Sequence, residues 1–248
     1  MTFRRRAIIL LRHFGIEVIR VKRGSGQVHT VLSRMRRLGF DPHSILDIGA
    51  SDGRWTLGTM AIFPQAQYLL VEARQDCMPL LERITDKHAN IHVVQTLVGD
   101  RDRDVPFNLH GFQSSIFGNA EGKGFGDITT AQMSTVDQVS KLANFPPPQL
   151  IKLDIQGAEL LALAGAAEAL HSTECVVTEV SFIPFQKGIP IAHEVVRFMA
   201  DRDFVIYDLA EIGRRPLDGA LIQASLFFLK RSSPLLADVR YGQALPWS

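Results

Sequence analysis

Short apolar runs alternate with helix-like segments from residue 45 onward, and this alternation narrows the fold more than any other feature. "SILDIG" reads as a strand, followed by a helix over about Arg54 to Ile62; "QYLLVEA" and "DCMPLLERITDKH" repeat the pair. "NIHVVQTLVG" holds a third strand, and "VPFNL" a short extra one. "QLIKLDIQG" leads into the alanine- and leucine-rich helix "AELLALAGAAEALH", and "ECVVTEVSF" into "AHEVVRFMADRD". Strands that are apolar along nearly their whole length need cover on both faces, and the intervening helices supply it. The pattern predicts an α/β fold with a mostly parallel, doubly covered sheet. The last two runs, "FVIYDLAEI" and "ASLFFLKR", are separated by roughly ten residues, which predicts an antiparallel hairpin rather than another βαβ unit.

A chain of 248 residues, 46% apolar, suits one large domain with a well-buried core. Its expected limits are residues 41–231, with a basic lead-in over 1–40 and a tail over 232–248. Residues 1–40 carry ten Lys or Arg and one acid, Glu17, a balance of +9 that leaves −8 for the remainder. The opening "MTFRRRAIILLRHFG" has an apolar run of five residues that ends at Arg12, too short for a signal h-region or a membrane span. It is predicted as a basic amphipathic helix packed on the domain, with a surface suited to peripheral contact with an anionic membrane or an acidic partner. Cys77 and Cys175 have no C-x-x-C spacing, which argues against a disulfide framework or zinc cluster and fits a cytoplasmic setting.

"HGFQSSIFGNAEGKGFGDITT", residues 110–130 with five glycines, interrupts the alternation and is expected to be a lid. Three prolines in "NFPPPQ" then stop any helix before Leu150.

The turn "DIGASDG" falls at the end of the first strand, where open α/β sheets bind ligands. It lacks the G-x-G-x-x-G spacing of a dinucleotide site, and its two acids, Asp47 and Asp52, would repel a pyrophosphate. S-adenosylmethionine suits it better. That cofactor has no phosphate, its ammonium wants an acceptor such as Asp47, and its carboxylate suits the helix N-terminus after Gly53. Gly49 and Gly53 allow the tight turn. Glu72, 25 residues after Asp47 at the end of the second strand, can accept both ribose hydroxyls. Taken singly, either acid could be an ordinary strand-end charge; their joint spacing favours the cofactor.

Lys152 and Asp154 lie two apart at the end of another buried strand and so share a face. They either pair with each other while Asp154 caps the next helix, or they place Asp154 beside the transferring methyl and its acceptor. Glu179 closes the following strand toward the same rim, and Glu159 sits in a first helical turn, where the macrodipole favours an acid.

The motifs "ILDIGASDGRW", "LLVEA", "VVQTLVGDRDRDVPF", "QSSIF", "MSTVDQV" and above all "LIKLDIQGAELLALAGA" resemble the FkbM family of S-adenosylmethionine-dependent methyltransferases over roughly residues 40–230. The resemblance implies a class I, Rossmann-like fold with a seven-stranded sheet of mixed direction. It also implies methyl transfer to a hydroxyl of a sugar, a glycolipid or polysaccharide residue, or a polyketide-like product. It assigns Asp47, Gly49, Ala50 and Gly53 to the methionine end of the cofactor, with Asp52 in the same turn, and Glu72 to the ribose. Thr96, Leu97 and Val98 are assigned to the adenine, and Ser115 to the acceptor side. Ser51, Ala73 and Gln156 depart from the family's usual Asn, Pro and Glu, and the last removes a carboxylate that a divalent metal would need, so no metal ligands are assigned.

Attack by an alcohol needs a proton acceptor, and Asp154 ranks first, Glu179 second and His110 third. Lys152 is expected to orient Asp154 or the acceptor. A nicotinamide enzyme would need the missing glycine pattern. A binding module without catalysis would need no rim of Lys152, Asp154 and Glu179. A nucleic-acid methyltransferase would use the basic segment for phosphates and carry an aromatic N-P-P-Y-like motif where "LDIQG" stands. The expected partner is therefore a small molecule or glycan, not nucleic acid.

Overall fold

The computed structural model describes residues 26–111, 113–118 and 126–240. The chain before Gly26, with the membrane contact expected of it, lies outside the described residues, as do the middle of the expected lid and the end of the tail.

Seven strands form the main sheet: β1 (Ser44–Ile48), β2 (Gln67–Glu72), β3 (Ile91–Gln95), β7 (Leu150–Leu153), β8 (Cys175–Ser181), β9 (Phe204–Arg214) and β10 (Leu221–Lys230). Their order is β3-β2-β1-β7-β8-β10-β9. The first five are parallel, and β10 runs antiparallel to both β8 and β9, so the terminal hairpin is present as predicted. The order steps outward from β1 in both directions, which opens a crevice beyond the carboxyl ends of β1 and β7.

Helices cover both faces. On one side lie α1 (Gly26–Arg37), α2 (Arg54–Met60) and α3 (Met78–Thr85); on the other α4 (Val136–Leu142), α5 (Glu159–Ala164), α6 (Ala169–Ser172) and α7 (Ala192–Ala200). Alternate residues of β1 serve the two layers: Ile45 lies in the core layer that holds Leu32, Met35 and Phe227, and Leu46 in the one that holds Leu163, Val176 and Met199. Val28, Leu32 and Met35 of α1 are buried in that first layer, so residues 26–37 are built into the domain rather than set ahead of it.

Three local readings change. "NIHVVQTLVG" is two strands, because Thr96 ends β3 and the chain re-forms β4 (Leu97–Gly99) in a separate three-stranded sheet with β5 (Arg103–Leu109) and β6 (Asp127–Thr135). The irregular stretch expected as a lid is in part regular structure, since residues 127–130 pair with β5 and Ser115 bridges Asn108. "AELLALAGAAEALH" is two short helices. Gly165 packs so closely on the Gly99 carbonyl that a side chain could not fit, and the Asp137 carboxylate restarts the helix by accepting the Glu168 and Ala169 amides, both at 2.8 Å.

Candidate active site

A cavity of about 1200 Å³ opens at the carboxyl ends of β1, β2, β7 and β8, and β9 and β10 complete its wall. That exceeds the usual range for a single small ligand and leaves room for a cofactor with an acceptor beside it.

The turn after β1 approaches this cavity through backbone geometry. Gly49 and Gly53 have φ of 77° and 75°, and Ser51 has 53°. A Cβ on Gly49 would collide with the Asp154 carbonyl, so that position needs glycine for space as well as torsion, while Gly53 needs it for its positive φ. Gly49, Ala50, Ser51 and Asp52 line the cavity. The amides of Gly49 and Ala50 donate to the Val71 carbonyl at 2.8 and 3.2 Å, which ties the turn to β2.

Two expectations for this turn are corrected. Asp47 is fully buried and off the cavity wall: its Oδ2 accepts from the Thr56 hydroxyl at 2.6 Å and its Oδ1 pairs with Lys152 Nζ at 3.0 Å. An acid so enclosed cannot receive a ligand ammonium; it neutralises Lys152 instead. The helix after Gly53 offers little to a carboxylate, because Asp52 accepts the Arg54 amide at 3.2 Å and its guanidinium Nε at 2.5 Å. The Arg54 hydrogen bond holds the Asp52 pKa below the ordinary carboxylate value.

Lys152 is buried at the register position beside Asp47, so it pairs across strands and not with Asp154 as its own strand suggested. Its ammonium also donates to the Gly49 carbonyl at 2.8 Å and stands 5.8 Å from the Trp55 ring centre. Burial works to lower its pKa, but Asp47, with Asp154 behind it, holds it above the ordinary lysine value. A lysine locked in this way fixes β1 against β7 and does not act as a nucleophile.

Glu72 is 7% exposed on the cavity wall. Its carboxylate accepts the Ser51 amide at 2.7 Å and the Arg74 amide at 2.9 Å, which sets its orientation and leaves each oxygen a further lone pair. Thr96, Leu97 and Val98 line the wall beside it.

On the other side Asp154 is exposed just past β7, its Oδ1 accepting from Gln156 Nε2 at 3.0 Å. Glu179 of β8 is half-buried and accepts from Gln223 Nε2 of β10 at 2.8 Å. Desolvation, reinforced by Asp154, Glu159 and Glu211, pushes its pKa up to about 8. Glu159 is buried behind the wall, where its carboxylate accepts the Ile155 and Gly157 amides at 2.9 and 3.3 Å and fixes the loop carrying Asp154. Desolvation raises it to about 7. Ser115 lines the cavity, but its hydroxyl donates to the Gln156 carbonyl at 2.8 Å and accepts the Phe117 amide at 3.1 Å, so it staples two loops rather than presenting a free group. His110 is exposed and off the cavity wall, unlike Gly111 and Ser114 beside it, which removes it as a base.

Sequence reasoning missed Gln27, Trp55, Glu211 and Ser225, all on the wall. Gln27 and the pair from β9 and β10 come from chain ends distant from any motif, and nothing local marked them.

The donor set suits a cationic cofactor. Asp154, Glu179 and Glu211 face the cavity without ion pairs among the described residues, and Ser51 Oγ and Trp55 Nε1 on the same wall are buried without partners. Strand order and crevice define a class I, Rossmann-like methyltransferase, an enzyme whose cofactor is S-adenosylmethionine. The model of the FkbM methyltransferase domain matches residues 47–206, and the chain belongs to that family. A search of curated proteins found no match. Among solved structures, the chain is similar to a precorrin-6y C5,15-methyltransferase from Geobacter metallireducens (11% identity, TM-score 0.46, covering 84% of this chain and 92% of that one). It is also similar to an rRNA methylase from Streptococcus thermophilus (10%, 0.47, 86% and 99%) and an S-adenosylmethionine-dependent methyltransferase from Aquifex aeolicus (10%, 0.45, 79% and 87%). At these values the likeness says nothing about the acceptor.

Proposed function

We propose that the protein methylates a hydroxyl oxygen of a neutral, polyhydroxylated acceptor such as a sugar or the glycan part of a glycolipid, with Glu179 as the proton acceptor. The observation that carries this reading is the place of Glu179, half-buried on the cavity wall near Asp154 and Glu211, with its pKa pushed up to about 8. Among the described wall residues Lys152, Arg54 and Arg74 are each held by an acid, and Arg214 donates to the Gly219 carbonyl in the β9–β10 turn. An alcohol is a weak nucleophile whose proton must leave as the oxygen attacks, and a base is most effective when its pKa lies near the working pH. Glu179 meets that condition, whereas the Asp154 carboxylate is exposed and taken up by the Gln156 side chain. Gln223 holds the Glu179 carboxyl in one orientation, and Lys152 stays neutralised by Asp47.

The bound cofactor supplies a methyl group on a sulfonium centre. The chain's part is to hold it: Glu72 takes the ribose hydroxyls, Gly49, Ala50 and the turn after them follow the methionine end, and Thr96, Leu97 and Val98 flank the adenine. Asp154 then lies between cofactor and acceptor and adds negative charge beside the cation. The acids on the acceptor side disfavour phosphate-bearing acceptors such as nucleic acid.

The test is mass spectrometry of glycans and glycolipids from cells with and without the gene, paired with Glu179→Gln in the complemented strain. A species lacking one methyl in the deletion, restored by wild type and not by Glu179→Gln, is expected. Loss of a methyl from RNA alone, or full restoration by the variant, overturns the reading.

A further inference from the structure

β9 does not run evenly beside β10. Gln223 pairs with Gly213 and Ser225 with Ala210, so three steps along β9 face two along β10. The extra length falls at Glu211 and Ile212, and Glu211 has a φ of 53°. A residue with a Cβ holds that left-handed conformation at a cost, and bulges of this kind re-aim side chains beside functional sites. Here the bulge brings Glu211 onto the cavity wall.

Its surroundings hold it there. Gln27 of α1 accepts the Glu211 amide at 2.7 Å, and Ser225 Oγ donates to Oε2 at 3.1 Å. Oε1 is buried and has no partner. Desolvation raises the Glu211 pKa, with Asp154 adding to it, while Ser225, His29 and Lys152 oppose the rise. In the strand order Glu211 lies beyond Asp154 and Glu179 as seen from Glu72, so a ligand that reaches it is the acceptor and not the cofactor.

The geometry points to Glu211 as an acceptor-binding residue: its carboxylate receives a second hydroxyl of the acceptor, beside the one that is methylated, and selects neutral glycans over acidic ones. The inference rests on the hydroxyl-acceptor reading above. An unpartnered acceptor oxygen gains most from a donor that the ligand brings, and a ligand carboxylate placed there would meet Glu211, Glu179 and Asp154, while Arg214 of the same wall donates to the Gly219 carbonyl in the β9–β10 turn.

The test uses the full chain loaded with S-adenosylhomocysteine, and as probes the methyl glycosides of the common hexoses with their uronates. Saturation-transfer NMR should show neutral glycosides bound by wild type, about tenfold weaker in Glu211→Gln, as expected for one lost charge-assisted hydrogen bond. Uronates should bind only the variant. Calorimetry should give both proteins the same affinity for S-adenosylmethionine within about twofold. Glu211→Gly, free to adopt the left-handed conformation, should melt no lower than wild type while losing glycoside binding.

Equal glycoside binding by wild type and Glu211→Gln, no binding by wild type, or a preference of wild type for uronates each overturns the inference. A loss of cofactor affinity in Glu211→Gln moves the residue to the cofactor side and also overturns it. Transfer of labelled methyl to the same probes separates the two readings. Glu211-dependent binding without transfer keeps Glu211 as a glycan-binding residue and removes the hydroxyl-transfer reading; transfer unaffected by Glu211→Gln keeps that reading and overturns the role of Glu211.

Discussion

The two halves of the cavity solve opposite problems. At the ends of β1 and β2, Glu72 holds the Ser51 and Arg74 amides, Asp52 holds Arg54, and the glycine turn hangs on the Val71 carbonyl. At the end of β7 and along β8 and β9, Asp154, Glu179 and Glu211 face the cavity without ion pairs among the described residues, and burial raises Glu179 and Glu211. The charged groups of the first half are held before any ligand arrives, with Ser51 Oγ and Trp55 Nε1 left without partners, which suits a cofactor that is the same in every cycle. The second carries an unrelieved electrostatic cost that a proton or an acceptor's donors must relieve. Such a cost is tolerated where it gives a base the right pKa.

The sharpest test of this contrast is Glu179→Gln. It should slow methyl transfer by about 10²–10⁴, as loss of a general base does, and leave cofactor affinity within a few-fold. Labelled-methyl assays and calorimetry measure both. A larger loss in Asp154→Asn would return the base to the residue that the sequence ranked first.

Lys152→Met should cost about 3–5 kcal/mol of stability, because it strands the fully buried Asp47 charge. Denaturant unfolding checks it, and the double variant Asp47→Asn/Lys152→Met should recover part of the loss. If the single variant is as stable as wild type, the pair does not anchor β1 to β7.

Glu72→Gln should weaken S-adenosylmethionine by about 1.5–3 kcal/mol through lost charge-assisted hydrogen bonds. S-adenosylhomocysteine should weaken equally, because the ribose is common to both. Calorimetry with each decides, and unchanged affinity for both removes Glu72 from the ribose.

The smallest effect is on the melting temperature of the cofactor-free protein. Glu179 and Glu159 rise in the fold from 4.5 to about 8 and about 7. The folded chain therefore holds more protons than the unfolded one between these values, so their contribution is full below about 4.5 and lost as pH climbs through 7 to 8. Melting curves should fall over that window, and Glu179→Gln should flatten the upper part. A wild-type melting temperature that climbs from pH 5 to 8 contradicts the raised values.

Much of the geometry at the ends of β1 and β2 was legible because its signals are local. Gly49, Gly53 and Glu72 sit at strand ends that periodicity marks, and a turn between strand and helix restricts which residues fit. The alternation of apolar runs likewise gave the order of elements and the closing hairpin. Local signals also misled. Lys152 and Asp154 stand two apart, but parallel pairing of β1 with β7 gives Lys152 a nearer partner in Asp47, more than one hundred residues away. "AELLALAGAAEALH" has helical composition throughout, but tight packing of Gly165 on Gly99 breaks it.

The sequence by itself determined the layered fold, the glycine turn after β1 and the acids at the strand ends, because backbone torsion, side-chain period and charge type act over a few residues. Only the tertiary structure decided what each acid does. Burial and neighbouring charge depend on strands that meet from distant parts of the chain, and these made Asp47 a buried counter-ion, raised Glu179, and brought Glu211 from a bulged edge strand to the cavity.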